Sequence, residues 1–307
     1  MPIDPVPRAR RAPPRRTIGA YLGLALAAAG LAGATAVAAA GQPVHVLYAG
    51  SLVNLMEHGI GPAFAAATGD RMQGYAGGSK ALAREITGKL READVFVSAA
   101  PGVNDRLMGR ANGSWVGWYV SFARSPLVLG YNRASRFAAQ LRSKPWYRVL
   151  LEPGIRIGRT DPRLDPKGAL TIRLMRRAAA LYHIPGLARR VLGAPGNPAQ
   201  VLPEESLVGR LETGLIDVGF FYSTETTAAG IPAVRLPASI TPQAIYTVTI
   251  VRGAPHPRAA ERFVAFLLGP PGRALIERYG LLPGKPRMAG LASSAPPAIR
   301  SLLHAPR

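Results

Sequence analysis

The chain has 307 residues, 48% hydrophobic and 18% charged, with 38 Lys and Arg against 17 Asp and Glu, a formal charge of +21. That length and apolar content suit one large two-lobed unit or two ordinary domains, and they exclude wholesale disorder. The lack of cysteine excludes a disulfide framework, a thiolate metal site and a lipidated N-terminal Cys, while the basicity leaves nucleic acid, membrane surface and small anions open as partners.

Residues 1–40 have the pattern of a secretory signal peptide. Arg8, Arg10, Arg11, Arg15 and Arg16 form a basic start, residues 18–40 carry no charge, and Ala38-Ala39-Ala40 places small residues before Gly41. The apolar run is also long enough to remain as an uncleaved anchor, but its Ala-x-Ala ending suits a peptidase. Arg15-Arg16 is a poor match to a twin-arginine signal. Removing the segment takes away five arginines and one aspartate and leaves +17, so the basicity belongs to the folded part. Export argues against nucleic acid as a partner and places the mature protein in the periplasm.

A strand over 44–48 stops at Ala49-Gly50-Ser51, and a helix over 52–67 follows, with Leu52, Leu55, Met56 and Phe64 for its buried face and Gly59 and Gly61 weakening its middle. A second strand at 72–75 ends at Ala76-Gly77-Gly78-Ser79. The next helix spaces Leu82, Ile86 and Leu90 by four, and 94–98 is a buried strand. This alternation is the grammar of a parallel α/β sheet. Further strands are expected at 127–131, 155–158, 218–222 and 246–251, with helices at 169–182 and 204–214. Two helices near the C-terminus follow, one carrying Ala260, Phe263, Val264 and Leu267, the other centred on Leu275, Ile276 and Tyr279. There is no internal repeat, and the Pro, Ala and Ser content beyond Pro286 predicts a tail, 291–307.

Ser51 and Ser79 each stand between a strand and a helix. As ordinary N-caps they need no further role. Alternatively each turn offers free N–H groups at the positive end of a helix, and a small oxyanion between the two turns is held by neutral donors. Gly50, Gly77 and Gly78 let backbone come close to a ligand. Two acidic loops follow: Asp161 and Asp165 between a strand and a helix, and Glu225 after the strand ending Phe221-Tyr222. Composition alone favours turn geometry for the two aspartates and a solvated surface position for Glu225.

The runs VLYAGSL, GGSKALAREI, EADVFVSA, GRTDPRLDPKG and FFYSTET stand in one order and spacing that resembles the periplasmic molybdate/tungstate-binding proteins of ABC importers, nearest their tungstate-type branch. The resemblance covers residues 44 to about 290, including the ending FLLGPPGRALIERYGLLP. It implies an α/β, two-lobed type II binding-protein fold with two crossing strands as hinge and the ligand in the interlobe cleft. Lobe one is then 44–123 plus 250–290, lobe two is 124–249, and the crossings lie near 124–127 and 247–250. The resemblance also implies that Ser51 and Ser79 contact the oxyanion, with Gly50 and Gly78 beside it. Asp165 and Glu225 would bind its tungsten or molybdenum centre, with Tyr222 adjacent. The implied partners are a small oxyanion and the permease and ATPase subunits of an importer; a monomer with no cofactor besides its cargo is expected. Two departures stand out. The family's D-P-C-G-Y-R is here Asp165-Pro166-Lys167-Gly168-Ala169-Leu170, and Tyr222-Ser223 is similar to the molybdate branch, which lacks the carboxylate ligands.

Carboxylates facing a dianion are repulsive unless their oxygens bind its metal centre, an option that sulfate does not offer. Rival readings are the same fold for sulfate, phosphate or an iron complex, a ligand-sensing regulator, and a secreted serine hydrolase. Gly77-Gly78-Ser79-Lys80-Ala81 is a near miss to a nucleophile elbow. A hydrolase also needs a late histidine, and His256 is flanked by prolines while His304 lies in the expected tail. The five histidines, at 45, 58, 183, 256 and 304, show no metal-ligand spacing in sequence.

Overall fold

The computed structural model describes residues 41–304, and the expected signal peptide lies outside them. Strand β1 (Pro43–Ala49) pairs in parallel with β2 (Arg71–Gly77) and β3 (Val95–Ser98). Its side chains alternate between two cores. Val44, Val46 and Tyr48 join the main one, and Leu47 joins a second with Leu82, Ile86 and Phe96. β3 does the same with Val95 and Val97 against Phe96, so this sheet is covered on both faces.

The sheet continues antiparallel through β8 (Gln243–Ile250) to β4 (Trp118–Tyr131) and β6 (Val218–Tyr222), and β5 (Ile157–Gly158) pairs in parallel with β6. The short β7 (Ala233–Val234) and β9 (Leu282–Gly290) also pair with β4. β4 is the shared strand: up to Pro126 it pairs with β8, and from Leu127 it pairs with β6. Around β6 a third core of Val128, Leu207, Leu211, Ile216 and Phe221 covers the far face of the second sheet. Two α/β lobes joined by strands that run through both is the architecture expected from sequence.

Several local expectations need correction. The helix over 52–67 is a 3-10 turn (Gly50–Leu52), one α turn (Val53–Leu55), a π segment (Met56–Ile60) and an α-helix (Gly61–Thr68). Pro62 has no N–H to donate back to the preceding turn, so the helix reorganises before it. The helix Ser79–Thr87 buries Leu82 and Ile86 but ends before Leu90, which is 73% exposed. Thr247 to Ile250 pair with β3, so they lie inside the first sheet, and β8 passes between lobes over residues 243–246. The expected tail is also structured: Ile299 of helix Pro297–His304 is fully buried in the main core. Proline there starts a helix at its first turn, where its missing N–H costs nothing. Among the described residues no helix is long and apolar enough to cross a membrane.

Candidate functional site

The site lies at the carboxyl ends of β1 and β2, where the chain turns from sheet to helix. Ser51 and Ser79 are both buried, and neither caps a helix with its side chain. Ser51 Oγ lies 2.9 Å from the Tyr246 hydroxyl. Ser79 Oγ accepts from the Ala99 N–H at 3.1 Å, which leaves its own proton to donate, and Gly78 is the N-cap of the helix.

The second turn does not hold its N–H groups free, as the sequence suggested. Lys80 and Ala81 both donate their N–H to Leu164 O at 3.0 Å, and Lys80 Nζ donates to Pro162 O at 2.7 Å. The 162–165 loop of the second lobe thus sits on the start of the first lobe's helix, and the lobes are closed on each other. Glycine is needed for this approach. A Cβ at Gly78 would come within 2.6 Å of Leu164 O, and one at Gly50 within 1.7 Å of Glu204 Oε2.

The second lobe contributes charge. Asp165 caps the helix Pro166–Leu181; its Oδ1 accepts from the Lys167 N–H at 2.8 Å and from the Thr160 hydroxyl at 3.0 Å. Glu225, expected at the surface by composition, is buried at the start of helix Ser223–Ala228, and its Oε2 accepts from the Tyr222 N–H at 2.7 Å. Between them stands Lys167, fully buried, which donates from Nζ to both oxygens of Glu225 at 2.7 and 2.8 Å and lies 2.9 Å from Glu204 Oε1. Neither Lys167 nor Glu204 was singled out as a site residue from sequence. The signals were there: a lysine where the resembling family has cysteine, and a Glu204-Glu205 pair after Pro203 in a basic chain.

Three carboxylates therefore share one ammonium in a water-poor space. Burial pushes the carboxyls of Asp165, Glu204 and Glu225 up, and the Lys167 ammonium pulls each part of the way back. Glu204 is raised well above the ordinary range. Burial alone depresses Lys167, but Glu204, Glu225 and Asp165 outweigh it and hold the ammonium charged. Two groups in this cluster are incompletely satisfied. Tyr222 OH and Glu204 Oε2 are buried with no hydrogen-bond partner among the described residues, and such atoms are where a ligand oxygen or a water gains most. Tyr222 packs edge-on against Tyr246, with ring centroids 6.2 Å apart. A cleft of about 320 Å³, lined in part by Gly77, Gly78, Thr160, Asp165 and Glu204, borders the cluster.

The structure thus brings Ser51, Ser79, Gly50, Gly78, Asp165, Tyr222 and Glu225 to one interlobe region, with Glu204, Lys167 and Tyr246 among them. Asp161 stands apart, held by the Arg163 guanidinium at 2.7 Å, which keeps its carboxyl below the ordinary range.

Residues 44–282 match the bacterial extracellular solute-binding protein family. An uncharacterised solute-binding protein of Petrotoga mobilis is 30% identical over 236 residues, 67% of this chain and 72% of that one. A molybdate/tungstate-binding protein of Thermococcus kodakarensis is 23% identical over 253 residues, 67% of this chain and 71% of that one. Among solved structures, the periplasmic molybdate-binding protein of Azotobacter vinelandii superposes with a TM-score of 0.61 at 21% identity, covering 78% of this chain and 98% of its own. That likeness is one of fold, and it agrees with the two lobes and their shared strands. The chain belongs to the bacterial extracellular solute-binding protein family.

Proposed function

We propose that the protein is the exported binding component of an ABC importer, capturing molybdate or tungstate between its lobes in the periplasm and presenting it to a membrane permease driven by a separate ATPase subunit. The observation that carries this reading is the buried cluster itself, in which the hydroxyl-bearing turns of one lobe face the carboxylates of the other. The hydroxyls of Ser51, Ser79 and Tyr222 supply neutral donors to oxyanion oxygens, each bond worth about 1.5–3 kcal/mol when one partner is charged. Asp165 and Glu225 supply oxygens to the metal centre, and Lys167 offsets part of the charge gathered there. A sulfate ion meets the same carboxylates without an empty coordination position, so it is repelled. The relative from Thermococcus kodakarensis named for molybdate and tungstate supports the choice of ligand. No catalytic step is assigned; the protein acts by binding and by lobe closure.

Calorimetry with tungstate, molybdate, sulfate and phosphate tests the reading directly. Tungstate and molybdate should bind at least about a hundredfold more tightly than sulfate, a difference of roughly 2.7 kcal/mol. Glu225→Gln should weaken tungstate and leave sulfate unchanged or improved. X-ray absorption on the tungstate complex should show more than four oxygen neighbours. Equal affinity for sulfate, or a four-coordinate tungsten centre, would sink the assignment.

A further inference from the structure

We infer a second site, for a borderline divalent transition-metal ion such as Zn²⁺, built from His45, Asp94 and His256 at the opposite end of the first sheet. His45 lies near the start of β1, Asp94 directly precedes β3, and His256 is the residue before helix Pro257–Leu268. Ser51 follows the other end of β1, so the two sites are separated by about six residues of mostly extended chain, on the order of 20 Å.

Their geometry is that of a partly assembled ligand set. His256 Nδ1 is 3.1 Å and His45 Nδ1 3.3 Å from the same Asp94 oxygen, Oδ2. One ligand atom from each of the three residues lies within 4.8 Å of the other two. Ligands at about 2.0–2.1 Å around a tetrahedral Zn²⁺ are separated by roughly 3.3–3.5 Å, so two edges of the tetrahedron are nearly in place. The imidazoles are 5.2 Å apart and tilted by 54°, which is a tilted pair and not a flat stack.

Two further observations favour a ligand over simple packing. His45 Nδ1 is a buried atom with no hydrogen-bond partner among the described residues; it is close to Asp94 but out of line with it. A nitrogen that points past its neighbour is poorly placed for a hydrogen bond and well placed for a shared ion. Glu92 Oε2 lies 3.8 Å from the same nitrogen on an exposed side chain, free to swing in as a fourth ligand. Asp94 is already held in place by backbone donors. It is fully buried, and its oxygens accept from the His45 N–H at 2.8 Å and the His256 N–H at 2.6 Å. Two imidazole nitrogens with carboxylate oxygens select Zn²⁺, Co²⁺, Ni²⁺ or Cu²⁺ over Mg²⁺ and Ca²⁺, which prefer all-oxygen sites. Bound there, the ion would clip the first strand of the sheet to the helix of Pro257–Leu268, residues more than two hundred positions apart in sequence.

The test is metal titration of the chelator-treated protein, read three ways. Zn²⁺ should bind one per chain and raise the melting temperature, while Mg²⁺ and Ca²⁺ at the same concentration do neither. Co²⁺ should give the intense visible absorption of a tetrahedral site. His45→Gln and His256→Gln should each weaken Zn²⁺ binding by at least about tenfold, with metal-free melting and tungstate affinity near wild type. Asp94→Asn is less informative because Asp94 also holds two backbone N–H groups. Absence of a stoichiometric Zn²⁺ site in the wild type, or Zn²⁺ binding of undiminished affinity in both histidine variants, overturns the inference.

Discussion

Arg159 and Lys167 stand eight positions apart, the second in the first turn of helix Pro166–Leu181, both fully buried, and the fold satisfies them by opposite means. The Arg159 guanidinium donates to four neutral acceptors: Gln200 Oε1 at 3.1 Å, Pro195 O at 2.8 Å, Ala194 O at 2.8 Å and Leu192 O at 3.3 Å. Carbonyl dipoles spread around a planar fork match its donors, and they pin the 192–200 segment without placing a counter-charge on it. The compact Lys167 ammonium meets carboxylates instead, and there are more of them than one cation can neutralise. The first arrangement is complete and structural. The second keeps surplus negative charge and unpaired polar atoms at the place where the lobes meet, which stabilises nothing by itself and makes sense as part of a ligand site.

The largest expected effects come from removing either cation. Arg159→Met and Lys167→Met should each cost about 3–5 kcal/mol of stability near neutral pH, since each leaves buried partners uncompensated. What separates them is pH. The carboxyls around Lys167 have folded-state pKa values above their unfolded ones. The folded chain therefore binds protons first, and stability is gained as pH falls through those raised values. The Lys167→Met loss should thus shrink on acidification through those raised values, whereas the Arg159→Met loss should not change. Urea denaturation across that range checks it, and identical pH profiles for the two variants would erase the distinction drawn here.

Gly50→Ala should have the next largest effect, about 1–3 kcal/mol, because the new methyl group would meet the Glu204 carboxylate that Lys167 holds in place. The cost falls on the closed form, so small-angle scattering should show the variant shifted towards a more open shape. An alanine at Gly209, where a Cβ meets nothing within 4 Å, is the matched control.

Glu204→Gln should act in the opposite direction, stabilising the protein by about 1 kcal/mol near neutral pH by removing surplus charge, within the range for an imperfectly paired buried group. In wild type, the stability held by the raised carboxyls is complete below their ordinary pKa and is lost as pH rises through the folded value. Glu204→Gln should flatten that decline. Asp70, Asp161 and Asp217 behave oppositely. Each is held below the ordinary range by an arginine partner (Asp217 against the pull of its burial), so their contribution is present above the ordinary carboxylate pKa and is lost as pH falls through the lowered one. Stability should therefore fall on the alkaline side as the raised carboxyls ionise and on the acid side as the lowered ones are protonated. A profile that falls on one side only would contradict it.

The sequence by itself determined what depends on neighbours in the chain. The β-rich run at 44–48 and the unbroken apolar run at 95–97 mark strands, the second of them buried, because a strand covered on both faces needs apolar side chains at successive positions. The turns at Ser51, Ser79, Asp165 and Glu225 were legible as strand-to-helix junctions, since glycine, proline and capping residues act within a few positions. Only the tertiary structure decided what those junctions meet. Lys167 is 58 residues from Glu225, Gly50 reaches Glu204 across the interlobe cleft, and His45 meets His256 across more than two hundred intervening positions. No local pattern encodes such pairs. Burial turns a lysine between proline and glycine in the first turn of a helix into the centre of a charge cluster, and burial is set by which lobes and strand ends pack together.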